Sequence, residues 1–338
     1  MSKKEVSAIA LFSGGLDSIL ACRLIAAQGI KVKAVKFVSP FFDYSLLAEE
    51  EYAKEIRSKY GIDVCVRDVS VSYLEMLRAP AHGYGRNFNP CVDCKILLVS
   101  EARKMMAEFG ASFLITGEVI GQRPMSQRLD TLRVIERDSG CDGILLRPLC
   151  AKNQKPTIPE IKGLVDREQL LDFSGRTRGP QIKLAESFGI VDFPTPAGGC
   201  SLTDPIRAKR VKWFFEEYEQ VTVTDGRLLL TGRHFTLPSG SWLVMGRDEK
   251  ENEKILQLAQ PGDMVLQMRD WPGPSAVLRY SSSPDEIEIA VGLIKRYCKK
   301  GVERNLAVVL VAAAGQENNV VSISAPPLDD ETVSSWIR

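Results

Sequence analysis

The sequence predicts an α/β protein: a parallel sheet with helices on both faces, followed by a smaller C-terminal α+β domain. Two textures and a length carry this prediction. Up to about residue 200, short apolar runs alternate with helical stretches, the pattern of parallel strands joined by crossover helices. Beyond it the runs shorten and turn residues separate them, as in antiparallel hairpins. A chain of 338 residues suits two domains, expected at 1–205 and 206–338, with Gly198, Gly199 and Pro205 punctuating the boundary.

Residues 7–12 are short, apolar and ended by glycines, which makes a strand, and residues 19–27 carry apolar side chains at helical spacing. Residues 32–38 read as a strand, 48–60 as a charged amphipathic helix and 63–69 as a third strand. A polar loop with Gly83, Gly85 and Pro90 leads to a helix over 91–109 and a strand over 111–116. In the C-terminal part, 221–223, 227–230, 234–237 and 242–245 are strand-like runs. Residues 249–258 read as a helix; 276–280 form another run, 284–299 a helix and 306–312 a strand.

Charged residues make up 26% and hydrophobic residues 44%, a composition that buries a sizeable core. Net charge is +1, so no global field draws the chain to nucleic acid, and RNA binding requires a local basic face. The polar start Met1-Ser2-Lys3-Lys4-Glu5 lacks the apolar stretch of a signal peptide. No segment approaches the roughly 18 to 20 apolar residues that span a bilayer. The expectation is a cytoplasmic protein without a membrane partner; nothing in the sequence indicates an oligomeric state. Eight cysteines then read as buried residues plus a metal or redox site rather than a disulfide framework.

Between the first strand and helix lies Ser13-Gly14-Gly15-Leu16-Asp17-Ser18. Glycines let backbone N–H groups turn toward an anion, and the helix start adds partial positive charge. Ser13 and Ser18 can donate to phosphate oxygens. Asp17 beside phosphate needs a divalent cation or a bonding partner, so it reads as a magnesium ligand or a loop brace. The sequence is neither a Walker loop nor a dinucleotide fingerprint. A Ser/Asp helix cap is the plain alternative.

Cys91 and Cys94, in Asn89-Pro90-Cys91-Val92-Asp93-Cys94-Lys95, place two thiols at a helix start, where the helix field lowers a thiol pKa. They suit metal binding or redox chemistry; packing as small hydrophobes is the alternative. Cys200, in Pro196-Ala197-Gly198-Gly199-Cys200, is a third candidate, and three ligands leave one iron of a four-iron cluster open. Thr116-Gly117-Glu118-Val119-Ile120-Gly121-Gln122 follows a strand, where parallel sheets supply ligand contacts. Arg176 and Arg178, in a glycine-flanked segment, can clamp a phosphate or simply be solvated.

Ser-Gly-Gly-Leu-Asp-Ser resembles the signature of PP-loop ATP pyrophosphatases, the adenine nucleotide alpha hydrolase-like fold. With Cys91–Cys94, Thr116–Gln122, Leu146-Arg147-Pro148-Leu149 and Cys200, residues 7–204 resemble tRNA 4-thiouridine synthetases and their 2-thiouridine relatives. The resemblance implies ATP and Mg²⁺ at Ser13, Gly14, Gly15, Asp17, Ser18, Gly117 and Gln122. It also implies catalytic roles for Asp17, Cys91, Cys94 and Cys200, with the three cysteines ligating a 4Fe-4S cluster or, without a cluster, Cys200 carrying a persulfide. The implied partners are tRNA and a sulfur donor, either cysteine desulfurase-derived or free sulfide. The THUMP and rhodanese domains of some resembled enzymes have no counterpart in the sequence, and the stretch 122–127 is one residue longer than their pattern.

Residues 225–335, with Val244-Met245-Gly246-Arg247 and Asp270-Trp271-Pro272-Gly273-Pro274-Ser275, resemble the NFACT-type RNA-binding domain, without its usual histidine. Arg233, Arg247, Arg269, Arg279, Lys295, Arg296, Lys299 and Lys300 are candidates for a phosphate-binding face, and Trp271 for base stacking. The expected function is ATP-dependent tRNA uridine thiolation. The alternatives are another PP-loop adenylating enzyme acting on a small molecule, or a non-catalytic RNA-binding protein.

Overall fold

Strand β1 (Ser7–Leu11) feeds two apolar layers at once: Ala8 and Ala10 enter one core cluster and Ile9 the other, all buried. A strand buried on both faces belongs at the centre of a covered parallel sheet. The computed structural model describes residues 6–195, 199–280, 283–298, 307–315 and 320–338. The chain divides into two compact units, Met1–Ala208 and Lys209–Arg338.

In the first unit, α1 (Leu16–Ala26), β2 (Lys31–Val38), α2 (Tyr52–Tyr60), β3 (Asp63–Asp68), α3 (Ser70–Arg78), α4 (Cys91–Lys104) and β4 (Phe113–Thr116) follow in order. Next come α5 (Leu129–Asp138), the two-residue β5 (Leu145–Leu146), α6 (Ile158–Ile161) and α7 (Gly179–Ser187). Strand order is β3-β2-β1-β4-β5, and every pairing is parallel. The order reverses between β1 and β4, so the loops that leave these two strands flank the crevice where such sheets bind ligands. The amphipathic helix expected over 48–60 is shorter, because Tyr44–Ala48 closes as a separate 3-10 turn.

The division between the units falls within α8 (Pro205–Glu217). The second unit continues with α9 (Val223–Leu228), β6 (Arg233–Thr236), β7 (Trp242–Met245), α10 (Glu249–Gln257), β8 (Met264–Met268) and β9 (Ala276–Arg279). It ends with α11 (Pro284–Arg296), β10 (Val309–Ala313), β11 (Val321–Ile323) and α12 (Asp330–Ser334). Its six-stranded sheet, β11-β10-β8-β9-β7-β6, is antiparallel throughout. Ala290, Val291, Leu293 and Ile294 of α11 pack with Leu243, Leu266, Leu278 and Val309 of the sheet in one core.

In place of the strands expected at 221–223 and 227–230, α9 occupies Val223–Leu228. Thr222 and Asp225 cap each other, with Asp225 N donating to Thr222 Oγ1 at 3.1 Å and Thr222 N to Asp225 Oδ2 at 2.8 Å. Two helix-end N–H groups are thereby satisfied, and this local bonding overrides the β-branched composition. Positions 299 and 306, where the last expected helix ended and the last expected strand began, lie outside the described residues. Among the described residues no helix is long and apolar enough to cross a membrane.

Candidate active site

The loop after β1 is built as its glycines require. Gly14 has φ +85°, a left-handed conformation that side chains disfavour, and Gly15 occupies the cap position of α1 with no side-chain cap bond. The plain helix-cap reading of the serines and Asp17 therefore fails. Ser18 is buried and its hydroxyl donates to Gly15 O at 2.7 Å, whereas Ser13 is exposed and donates to Ser18 Oγ at 3.2 Å. Ser18 thus shapes the loop while Ser13 faces outward.

Asp17 does two things. Its Oδ2 accepts from Gln122 Nε2 at 2.9 Å and lies 3.8 Å from Arg178 Nη2, so the carboxylate ties the loop to two other segments. Its Oδ1 is buried without a hydrogen-bond partner among the described residues, as a cation ligand would be. Arg178, read as either a phosphate clamp or a solvated residue, reaches the phosphate loop because Gly175 N donates to Ile120 O at 2.8 Å and docks its segment on the turn after β4. Arg176 stays exposed.

That turn packs directly on the loop. A Cβ on Gly117 would stand 2.5 Å from the Asp17 carbonyl carbon and oxygen. Glu118, one residue on, is buried; it accepts from Thr116 Oγ1 at 3.0 Å and Arg147 Nε at 3.1 Å, and Arg147 also pairs with Glu136. Burial pushes the Glu118 carboxyl up, but the charges of Lys95 and Arg147 outweigh it and hold the group below its usual value. The Leu-Arg-Pro-Leu segment is thus a brace for Glu118.

Cys91, Cys94 and Cys200 line one cavity of about 330 Å³ together with Ser13, Asp17, Ser18, Gly117 and Glu118. Asn89 Nδ2 donates to Cys91 Sγ at 3.1 Å, and the buried Tyr73 hydroxyl sits among all three cysteines, bonded to Cys94. Cys200 is fixed from both sides: Thr203 N and Oγ1 donate to its carbonyl at 3.0 and 2.7 Å, and Ser201 N donates to Phe41 O at 3.1 Å. Residues 196–198 of its motif lie outside the described residues. The low thiol pKa expected of the helix-start pair is not found for Cys94. Burial pushes Cys94 up to about 12, against the pull of Lys95, and raises Cys200 too. Desolvation outweighs the helix field here. Among the described residues no three His, Cys, Asp or Glu side chains are gathered closely enough to hold a metal ion.

Gln122 joins the site through Asp17, while Ser126 and Gln127, in the longer stretch, are buried and line the cavity. Sequence reasoning missed three cations on its wall, Lys36, Lys95 and Arg123, and also Tyr73. The signal for Lys36 was a lysine at the apolar end of a central strand; for Lys95 it was adjacency to Cys94.

In the second unit, Arg279 and Lys295 are not on an open basic face. Arg279 is buried, donating to Asp263 at 2.9 and 2.7 Å and pairing with Asp225, and Lys295 is buried beside Ser324 Oγ at 3.2 Å. Arg247 and Arg269 pair with Glu251 and Asp270, and Arg233 and Arg296 lie over Tyr297. Lys299 and Lys300 lie outside the described residues. Trp271 is 42% exposed.

A parallel sheet with a glycine loop at its switch point, braced by the turn after the neighbouring strand, defines the first unit as a PP-loop type of α/β domain. Residues 4–164 match the family described as Thiamine biosynthesis protein (ThiI), and residues 232–337 match the NFACT protein RNA binding domain. Two non-overlapping stretches of the chain are thus similar, one to the ThiI family and the other to an NFACT-type RNA-binding domain. A tRNA sulfurtransferase of Erwinia tasmaniensis is 28% identical over 221 residues, covering 62% of this chain and 38% of that protein. One of Desulfurococcus amylolyticus is 25% identical over 169 residues, covering 50% and 32%. The chain therefore spans well under half the length of these curated relatives. A solved 4-thiouridine synthetase–RNA complex with bound ATP is 20% identical with a TM-score of 0.35, over 55% of this chain and 52% of that one.

Proposed function

We propose that the protein is an ATP-dependent tRNA sulfurtransferase, with residues 1–205 as the thiolation domain and 206–338 as the RNA-binding domain. The observation that carries this is the convergence of the phosphate loop and three cysteines on one cavity. A small-molecule PP-loop ligase would need the loop but neither the thiols nor an RNA-binding domain.

In this reading ATP lies on Ser13, Gly14, Gly15 and Ser18, with Gly117 leaving room for the close approach of the turn after β4. Asp17 Oδ1, buried and unpartnered, fits a Mg²⁺ ligand. A uridine carbonyl oxygen of tRNA attacks the α-phosphorus; the bond to the bridging oxygen breaks, and its electron pair leaves on pyrophosphate. Hydrosulfide then forms a C–S bond as the C–O bond breaks, and the electron pair leaves on AMP; desulfurase-derived sulfur, arriving as a persulfide, would instead form a disulfide-linked adduct that a second thiol cleaves. The proton lost from the ring nitrogen on adenylation is restored to it as the thiocarbonyl forms.

Cys91, Cys94 and Cys200 fit an iron–sulfur cluster in kind: three thiols on one cavity that also reaches the phosphate loop. A 4Fe-4S cluster on them would supply an open iron to hold sulfide. In a second reading Cys200 carries a persulfide, its outer sulfur bonds to the uridine carbon, and the Cys91 or Cys94 thiolate attacks the Cys200 sulfur, releasing the thiouridine and leaving a protein disulfide. Incubation of the full chain with tRNA, ATP, Mg²⁺ and sulfide, followed by nucleoside mass spectrometry, should show a thiouridine that depends on ATP. Unmodified uridine in every such reaction would refute the assignment.

A further inference from the structure

Three cations line the cavity, and they are differently employed. Lys36 is 5% exposed and fully engaged beneath the loop, its Nζ donating to Ser13 O at 2.6 Å and to Asp43 Oδ2 at 2.5 Å. Arg123 is exposed at the rim. Lys95, on α4 directly after Cys94, is intermediate in exposure. Its Nζ is 3.6 Å from Glu118 Oε1, beyond hydrogen-bond distance, and its side chain keeps 32% of its exposure. Glu118 shares its counter-charge between Lys95 and Arg147, but only Arg147 and Thr116 hydrogen-bond it, both at Oε2, so Oε1 faces Lys95 without a bond among the described residues. A cation held near a buried carboxylate without bonding to it keeps its three donors free for something else.

The position of Lys95 says what that is. Glu118 follows Gly117, which packs on Asp17 of the phosphate loop, while the helix carrying Lys95 begins with the two thiols Cys91 and Cys94. Lys95 therefore stands between the loop that would hold the pyrophosphate and the groups that would deliver sulfur. In an adenylation followed by sulfur displacement, the α-phosphate is the one group that must face both.

We infer that Lys95 is a catalytic residue whose ammonium contacts the α-phosphate and stabilises the charge that develops as the uridine oxygen bonds to phosphorus and pyrophosphate leaves. The inference rests on the adenylation reading above. Lys95 transfers no proton in this step: the base loses its ring N–H proton to solvent, and the electron pair of the broken P–O bond leaves with pyrophosphate. A compact point charge on a flexible stem suits a phosphorus centre that moves as its geometry inverts.

The test uses the full chain with Lys95→Gln and Lys95→Arg. Single-turnover pyrophosphate release with tRNA should fall about 100-fold or more in Lys95→Gln, the size of effect seen when a charge-stabilising donor is removed. ATP affinity by calorimetry should change less than about threefold, because the lost contact forms chiefly in the transition state. The melting temperature should stay within about 2 °C, because Arg147 still pairs with Glu118 at Oε2 and the glutamine amide can donate to Oε1. Lys95→Arg should recover part of the rate. Unchanged release in Lys95→Gln overturns the inference. So does a loss matched by equal losses of ATP affinity and melting temperature in both variants, which would mark a structural role. A wild-type chain that binds ATP but releases no pyrophosphate with tRNA overturns the adenylation reading itself, and Lys95 falls with it.

Discussion

Gly117 leaves no room for a side chain against Asp17: a Cβ there would stand 2.5 Å from the Asp17 carbonyl, which is backbone and cannot rotate away. Gly117→Ala must therefore displace either the turn after β4 or the phosphate loop. Overpacking of this kind costs about 1–3 kcal/mol. The expected result is a melting temperature several degrees lower and tRNA-dependent pyrophosphate release reduced at least about tenfold, since the loop geometry is disturbed. A Gly117→Ala protein with wild-type kinetics would show that the two loops do not share a site.

Asp17 is held by Gln122 at 2.9 Å and Arg178 at 3.8 Å through one oxygen, leaving the other unpartnered. Asp17→Ala should abolish pyrophosphate release. Arg178→Ala should reduce it by about 10- to 100-fold and raise the Mg²⁺ concentration needed, the usual result of removing a residue that orients a metal-binding carboxylate. Titration of activity against Mg²⁺ separates the two: no change in Mg²⁺ dependence for Arg178→Ala would leave it only a surface brace.

The first sheet was legible because β1, β2 and β4 are apolar runs ended by glycine or polar turns, which only a doubly covered sheet explains. The site was legible in part. Ser13, Gly14, Gly15, Asp17, Cys91, Cys94 and Gly117 are adjacent to strand or helix ends, where motif spacing is local. Lys36, Tyr73 and Arg178 join the site only through tertiary packing: Lys36 through the pleat of β2, Tyr73 through α3, and Arg178 through the pairing of Ser174 with Ile120. No pattern in a single chain announces such contacts. Arg279 and Lys295 were misplaced for the converse reason, since a long basic side chain reads as surface until its buried partners, here Asp225, Asp263 and Ser324, are seen.

Glu251 gives the second unit an acid-sensitive contact. Hydrogen bonding from Arg247, against the opposing effect of burial, lowers its carboxyl from 4.5 to about 2. A carboxyl with a depressed folded pKa contributes stability that is complete above the unfolded value and lost as pH falls from about 4.5 towards 2. Arg247 is 54% exposed, and solvent screening limits the contribution to about 1 kcal/mol. All four tryptophans lie in the second unit, so urea melts followed by tryptophan fluorescence report on it. Wild type should lose about 1 kcal/mol more than Glu251→Gln between about pH 5 and pH 3. Equal losses in the two proteins would remove the pair from the acid response.

The cysteines separate the two sulfur routes. If Cys91, Cys94 and Cys200 hold a cluster, protein purified without oxygen should be brown with about four irons per chain. Cys91→Ser, Cys94→Ser and Cys200→Ser should each lose most of that iron. Cys65→Ser should keep it, because Cys65 lies in β3, outside the cavity lining, and its thiol donates to the Ala34 carbonyl at 3.7 Å. Iron content and absorbance need no turnover, so this outcome stands apart from any defect in ATP or tRNA binding. Colourless, iron-free wild type that still thiolates tRNA would sink the cluster and favour the persulfide route. In that case Cys200→Ser alone should abolish persulfide labelling of the chain, while serine at whichever of Cys91 and Cys94 resolves should trap tRNA in a disulfide with Cys200.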